Sequence, residues 1–310
     1  MAVTFIHKSP PSPSLMLVTR PESDSEYMHF QAETAAGPQP AATAAPFDPG
    51  ASTFSFVNAW WLAEAALLSY WPADTAQSRF LGQADLQSEL VDREGTQCYV
   101  ASNGAFAIVA FRGTQPDERA DVWADFQFIP RSWPGGGNVH EGFQKALEVV
   151  WDDLTQTLTQ SGATKVWFTG HSLGAAVATL AVDRFEEPAG LYTFGSPRLG
   201  DGKFTVAYNG RHATRSFRYV NNHDIVTHVP PSIFNFSHVD REMHIDGNGH
   251  IGQSIAGPGA VVIDAAKDFF TRRTTELVSG ASLVPPAVID HTPRRYSTFV
   301  WNAFAVAAGT

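Results

Sequence analysis

Apolar residues along this chain recur at two spacings, and the alternation between them predicts the architecture. NAWWLAEAALLSYW at 58–71 sets Trp61, Leu62, Ala65, Ala66 and Leu68 around one broad face, so a helix ending before Pro72 is expected. AFAIVAFRGT at 105–114 is instead a short continuous apolar run that closes on a charged, glycine-containing loop, the pattern of a buried strand. Helix-like and strand-like stretches then alternate. GFQKALEVVWDDLTQTL at 142–158 predicts an amphipathic helix, KVWFT at 165–169 a strand, and LGAAVATLAVDRF at 173–185 a helix. GLYTFG at 190–195 predicts a strand, DGKFTVAYN at 201–209 a helix, and SFRYV at 216–220 another strand. Such alternation implies βαβ crossovers, hence an α/β fold with a mostly parallel central sheet flanked by helices. Further on, two alternating runs flanking VDRE within FNFSHVDREMHIDG at 234–247 resemble a hairpin, and VVIDAAKDFFTRRTTELV at 261–278 is expected to hold a helix.

Composition divides the chain unevenly. AETAAGPQPAATAAPFDPG at 32–50 offers little large apolar surface, so residues 1–53 are expected to form a flexible or strap-like extension, with Met28 and Phe30 as anchors, and order is expected to start near Phe54. Residues 54–310 are then one catalytic-sized domain. A formal charge of −10 without a long basic run argues against nucleic acid as a partner. Cys98 is the only cysteine, which excludes an intramolecular disulfide and a cysteine-built metal site; TQCYVAS around it predicts a core position on a strand. No run approaches the length of a membrane span, and prolines from Pro10 onward interrupt any secretory leader. Both a cytoplasmic location and secretion without a recognisable signal fit. The 11 histidines are scattered, with no HExxH helix, so neither a metal nor an organic cofactor is expected.

Chemistry concentrates at Gly170-His171-Ser172-Leu173-Gly174, a G-x-S-x-G turn set between a predicted strand and a helix rich in small residues. A sharp turn there lifts the Ser172 hydroxyl above the sheet edge, and the flanking glycines remove side chains that would crowd it. The following helix points its first N–H groups toward developing negative charge. Serine is a weak nucleophile alone and needs an imidazole base oriented by a carboxylate, in the chain order serine, acid, histidine. Asp224, in a polar loop directly after the predicted strand at 216–220, is the best placed acid; Asp240 and Asp246 belong to the expected hairpin. His238, His244, His250 and His291 all follow that acid. His291 in IDHTPRRYS, near the end of the fold, is favoured, but spacing alone leaves the others open.

AFRGT at 110–114, VHEGF at 139–143, TGHSLGAA at 169–176, YTFGSPRLG at 192–200, VNNHDIVTHVPP at 220–231 and HTPRRY at 291–296, in this order, resemble the class 3 lipases, α/β-hydrolases that include filamentous-fungal triacylglycerol lipases and bacterial and plant relatives. The resemblance spans about residues 55–300. It implies Ser172 as nucleophile, Asp224 as triad acid and His291 as general base, with His238 the main rival base. Thr114 and Leu173 would supply the oxyanion N–H groups, and the segment after the first oxyanion residue, QPDERADVWADFQF at 115–128, would be a lid with Trp123 against the acyl site. His140 and Asp125 would have structural roles, Asp125 beneath the oxyanion loop.

The implied activity is hydrolysis of carboxylic esters, foremost acylglycerols, at a peripheral contact with a lipid interface; a short-chain carboxylesterase and a phospholipase A1 share the triad. A peptidase or amidase, and a scaffold that binds without catalysis, are the rival classes. Two departures from the fungal pattern are plain: disulfides cannot form within this chain, and the charged PDERAD stretch argues against strong interfacial activation.

Overall fold

A computed structural model of the chain describes residues 44–114, 128–239, 241–253 and 289–309, and the backbone of a short antiparallel pair, β1 (Gln31–Thr34) and β2 (Gly37–Pro40). The expected lid with Trp123 and Asp125 and the expected helix at 261–278 lie outside the described residues, as do Met28, Phe30 and Asp240.

Eight strands make the central sheet. They are β3 (Gln87–Arg93), β4 (Thr96–Ser102), β5 (Ala107–Phe111), β8 (Val166–His171), β9 (Gly190–Phe194), β10 (Ser216–Asn221), β11 (Glu242–Ile245) and β12 (Ile251–Gln253). A small antiparallel pair, β6 (Pro130–Ser132) with β7 (Asn138–His140), stands apart. The spatial order is β12-β11-β10-β9-β8-β5-β4-β3, with the five strands from β11 to β5 mutually parallel and the outer ones antiparallel to their neighbours. Successive residues of the parallel strands face opposite layers, because side chains alternate along a strand. Ile108, Trp167 and Tyr192 enter a core with α1 (Phe56–Leu68) and α6 (Pro293–Gly309); Val109, Phe168 and Leu191 enter one with α3 (Glu141–Ser161), α4 (Leu173–Arg184) and α5 (Gly202–His212). Both faces are covered, which explains the uninterrupted apolar runs of β5, β8 and β9. This is the α/β-hydrolase arrangement.

Four differences from the expected elements have physical reasons. Helix α1 is buried nearly all round rather than on one face, because α6 packs along its other side; Trp60 stacks on Phe304 and meets Trp301 edge-on, and the Ser297 hydroxyl bonds the buried Glu64 carboxylate. It ends at Leu68, where Ser69 caps it, and a further helix α2 (Ala73–Ala84) follows Pro72. Among the described residues no hairpin pairs the runs on either side of VDRE. Ser237 instead bridges Gly200, while β11 pairs parallel to β10 and turns back at 246–250 into β12. Packing also begins before Phe54: Phe47 lies among Trp61, Phe106 and Trp167, and the Trp61 and Trp167 indoles donate to the carbonyls of Ala45 and Pro49. Cys98 is fully buried on β4, where burial pushes its thiol pKa up and leaves it unreactive.

Candidate active site

The turn from β8 into α4 creates the sharpest backbone feature of the site. Ser172 holds φ 60° and ψ −130°, a conformation that costs a non-glycine residue about 1–3 kcal/mol and persists only where the surroundings enforce it. They do so here. The Ser172 N–H donates to Phe194 O at 3.0 Å, and the Ser172 carbonyl accepts from Ala175 N at 3.0 Å. A Cβ on Gly170 would come within 2.8 Å of Ala175 N, and one on Gly174 within 2.7 Å of Arg112 C, so both glycines are required by close backbone approach.

Above this turn the structure brings Ser172, Asp224 and His291 into one chain of hydrogen bonds. Ser172 Oγ lies 2.9 Å from His291 Nε2, and His291 Nδ1 lies 2.8 Å from Asp224 Oδ2. A carboxylate only accepts, so Nδ1 carries the ring proton and Nε2 is left to accept from the serine hydroxyl. All three side chains are buried. Asp224 is positioned at the end of β10 by the polar turn foreseen there, and its Oδ1 accepts from Val226 N at 2.9 Å. Arg198, from the YTFGSPRLG block, donates to the carbonyls of His228 and Pro230 and so fastens the loop that follows the acid.

Several site residues carried no role in the sequence reading. Tyr296 donates its hydroxyl to Asp224 Oδ2 at 2.6 Å and accepts from Asn221 N at 2.9 Å. Burial, reinforced by the Asp224 charge, raises its pKa well above the usual phenol value, so it stays a neutral donor. Its position on the first turns of α6, five residues past His291, is the signal that a helix reading of HTPRRY would have exposed. His171 packs its ring on His291 with centroids 4.6 Å apart; its Nε2 meets the His291 carbonyl at 2.7 Å and its Nδ1 the Tyr70 hydroxyl at 2.7 Å. The carbonyl only accepts, so Nε2 bears the proton and Tyr70 donates to Nδ1. Gly195, at φ +61°, leaves room for the couple: a Cβ there would sit 2.8 Å from Asp224 Oδ2 and 3.0 Å from His291 Nδ1.

The remaining candidates fall as follows. Leu173 is the first residue of α4, where helix geometry leaves the N–H without an intrahelical acceptor. Gly113 passes beside the serine, with a Cβ there 3.0 Å from Ser172 Cβ, and the next residue, Thr114, is half-buried. His238 is not brought to the serine: its Nε2 donates to Thr227 O at 2.7 Å, and burial, then the nearby Arg218 and Arg198 charges, hold its pKa well below the usual histidine value. Asp246 is spent on a turn, accepting from the Asn248 and His250 N–H groups. His140 caps α3 by accepting from Gly142 N at 3.0 Å. Among the described residues no group of three potential metal ligands occurs, and no helix is long and apolar enough to cross a membrane.

A strained serine between strand and helix, facing a histidine and an aspartate that follow it in sequence, places the molecule among the α/β-hydrolases. More narrowly, residues 108–234 match the family model "Lipase (class 3)". A lipase of Rhizomucor miehei is 38% identical over 157 residues, covering 45% of this chain and 42% of the relative. A secreted mono- and diacylglycerol lipase of Fusarium solani is 34% identical over 167 residues, 50% of this chain and 49% of the relative. The chain therefore matches less than half the length of either curated relative. Among solved structures, the triacylglyceride lipase of Rhizomucor miehei superposes with a TM-score of 0.55 at 27% identity, over 75% of this chain and 90% of that one.

Proposed function

We propose that the protein is a serine carboxylic-ester hydrolase, acting as a triacylglycerol lipase with esterase activity. The observation that carries this reading is the continuous Ser172–His291–Asp224 hydrogen-bond chain on a strained strand-to-helix turn. His291 Nε2 takes the hydroxyl proton as Ser172 Oγ attacks the ester carbonyl; Asp224 holds the tautomer and stabilises the imidazolium that forms. The backbone N–H groups of Leu173 and Thr114 receive the oxyanion, an interaction worth about 3 kcal/mol at comparable sites. The imidazolium then protonates the departing alcohol. Water enters, loses its proton to Nε2, attacks the acyl-enzyme and releases the acid, so the cycle needs no cofactor.

Acylglycerols are the favoured substrates because the relatives bear the names of mono-, di- and triacylglycerol lipases. Residues 115–128 act as the lid in this reading, with Trp123 covering or lining the acyl site. The fold stands with one buried thiol and no disulfide, so it is compatible with reducing and oxidising compartments alike. The test is hydrolysis of p-nitrophenyl esters from acetate to palmitate, of emulsified triolein and of phosphatidylcholine by wild type and Ser172→Ala. Triolein cleavage lost in Ser172→Ala is expected. Activity confined to acetate and butyrate would make the protein an esterase, and a preference for phosphatidylcholine would make it a phospholipase.

A further inference from the structure

We infer that Asp290 is a positioning residue that fastens the loop carrying His291 to the loop carrying Asp224; this rests on the triad reading above. The base and the acid are 67 positions apart, so the His291–Asp224 contact depends on how two separate loops meet. Asp290 joins them through three contacts, and a fourth holds it to α6. Its Oδ2 accepts from Asn222 Nδ2 at 2.9 Å and from His223 N at 3.4 Å. Its backbone carbonyl accepts from Asn221 Nδ2 at 2.8 Å, and its Oδ1 faces Arg295 NH1 at 3.5 Å. The residue is 2% exposed although its side chain is acidic, and acidic side chains are kept at such depth only when paired.

Asn222 is shaped to complete this arrangement. It sits at φ 48°, a left-handed conformation that asparagine tolerates better than most residues, and this turn sends its N–H to Ile245 O at 2.7 Å while its amide meets Asp290. The acid loop is thereby tied to the sheet through β11 and to the base loop through Asp290. Arg295 leans over the Phe299 ring at 5.4 Å, so the ion pair also reaches into α6, the helix that carries Tyr296. Three neighbours along the sequence thus share the work. Asp290 sets the loop, His291 moves the proton, and Tyr296 holds the carboxylate.

Displacement of a reacting group by about 1 Å costs roughly 100-fold in rate, so loss of this link should reach the chemistry before it reaches the fold. The full-length chain carrying Asp290→Ala, Asp290→Asn or Asn222→Ala is compared with wild type by kcat and KM on p-nitrophenyl butyrate, the acid limb of the kcat/KM pH profile, and the low-field proton NMR resonance of His291 Nδ1–H. Asp290→Ala is expected to lower kcat by about 10- to 100-fold with KM little changed. Its acid limb should move to lower pH, because a misaligned Asp224 no longer stabilises the imidazolium, and the low-field resonance should shift or vanish. Asn222→Ala should move all three in the same direction by less, and Asp290→Asn, which keeps an acceptor for Asn222, should recover most of kcat. Folded Asp290→Ala and Asn222→Ala proteins with lowered Tm but wild-type kcat, acid limb and resonance would overturn the proposal. Should Asp290→Ala fail to fold, Asn222→Ala alone decides. Full hydrolysis by Ser172→Ala would refute the triad reading itself, and the resonance would still report on the Asp290 link.

Discussion

The Ser172 turn and the Asp224–His291 couple lie against each other but are held by different physics. Ser172 is fixed by main chain: β8 ends, two glycines permit close backbone approach, the Ser172 N–H bonds Phe194 O, and α4 begins. Its position follows from backbone sterics and main-chain hydrogen bonds. Asp224 and His291 arrive on different elements, and their geometry depends on side chains reaching between them, from Tyr296, His171 and Asp290. Damage to the turn should therefore register as a folding defect, and damage to the couple as a catalytic defect in a folded protein.

The largest effect separates the two most cleanly. His291→Ala removes the proposed base, and hydrolysis should fall by roughly 10⁴- to 10⁶-fold while the urea midpoint stays near wild type; a collapse in the midpoint would mean that the couple also holds the fold. Gly174→Ala is the converse. A Cβ there meets the Phe111 and Arg112 backbone, which cannot yield as a side chain can, so a loss of about 3 kcal/mol or more in urea unfolding is expected, and a stable variant would break the comparison. Tyr296→Phe tests the couple more gently. Loss of one hydrogen bond to the Asp224 carboxylate should lower kcat about 10-fold with the fold retained, measured on p-nitrophenyl butyrate.

The smallest effect concerns pH and a histidine near the acid loop. His238 is held neutral by burial and by Arg218 and Arg198, so its folded pKa lies below its unfolded one. As pH falls below about 6.5 the unfolded chain binds a proton that the folded chain refuses, and stability drops until the folded pKa is reached. His228 adds to this trend, its pKa lowered by burial first and then by Arg198. Replacing His238 by glutamine, whose amide keeps a donor for Thr227 O, should shrink the fall in Tm between pH 7 and pH 5 without abolishing it. An unchanged slope would show that His238 does not govern it.

The same contrast explains what the sequence discloses. The parallel strands, α3, α4 and Ser172 are legible because their signals are contiguous: apolar runs, helical spacing, and a serine between glycines at a strand–helix junction. The β3–β4 hairpin is legible in retrospect, since Glu94-Gly95 at positive φ is a two-residue turn, whereas α2 has only a weak apolar stripe. β11 misleads because EMHI pairs with β10, some 24 positions earlier, and not with the run beside it. At the site, the half-buried His238 and the buried His291 both follow the acid, and only the fold directs one to Thr227 and the other to Ser172. Asp290 and His171 stayed invisible for a related reason: each adjoins a catalytic candidate in sequence but acts through partners far from it in the chain.

The most direct test of the account is mass spectrometry of the intact protein after exposure to diethyl p-nitrophenyl phosphate, with peptide mapping, alongside residual hydrolysis. A single diethylphosphoryl adduct on Ser172, appearing in step with loss of ester hydrolysis and absent from Ser172→Ala and His291→Ala, is the predicted result. Full inactivation with Ser172 unmodified, or hydrolysis that persists after Ser172 is fully labelled, would contradict it.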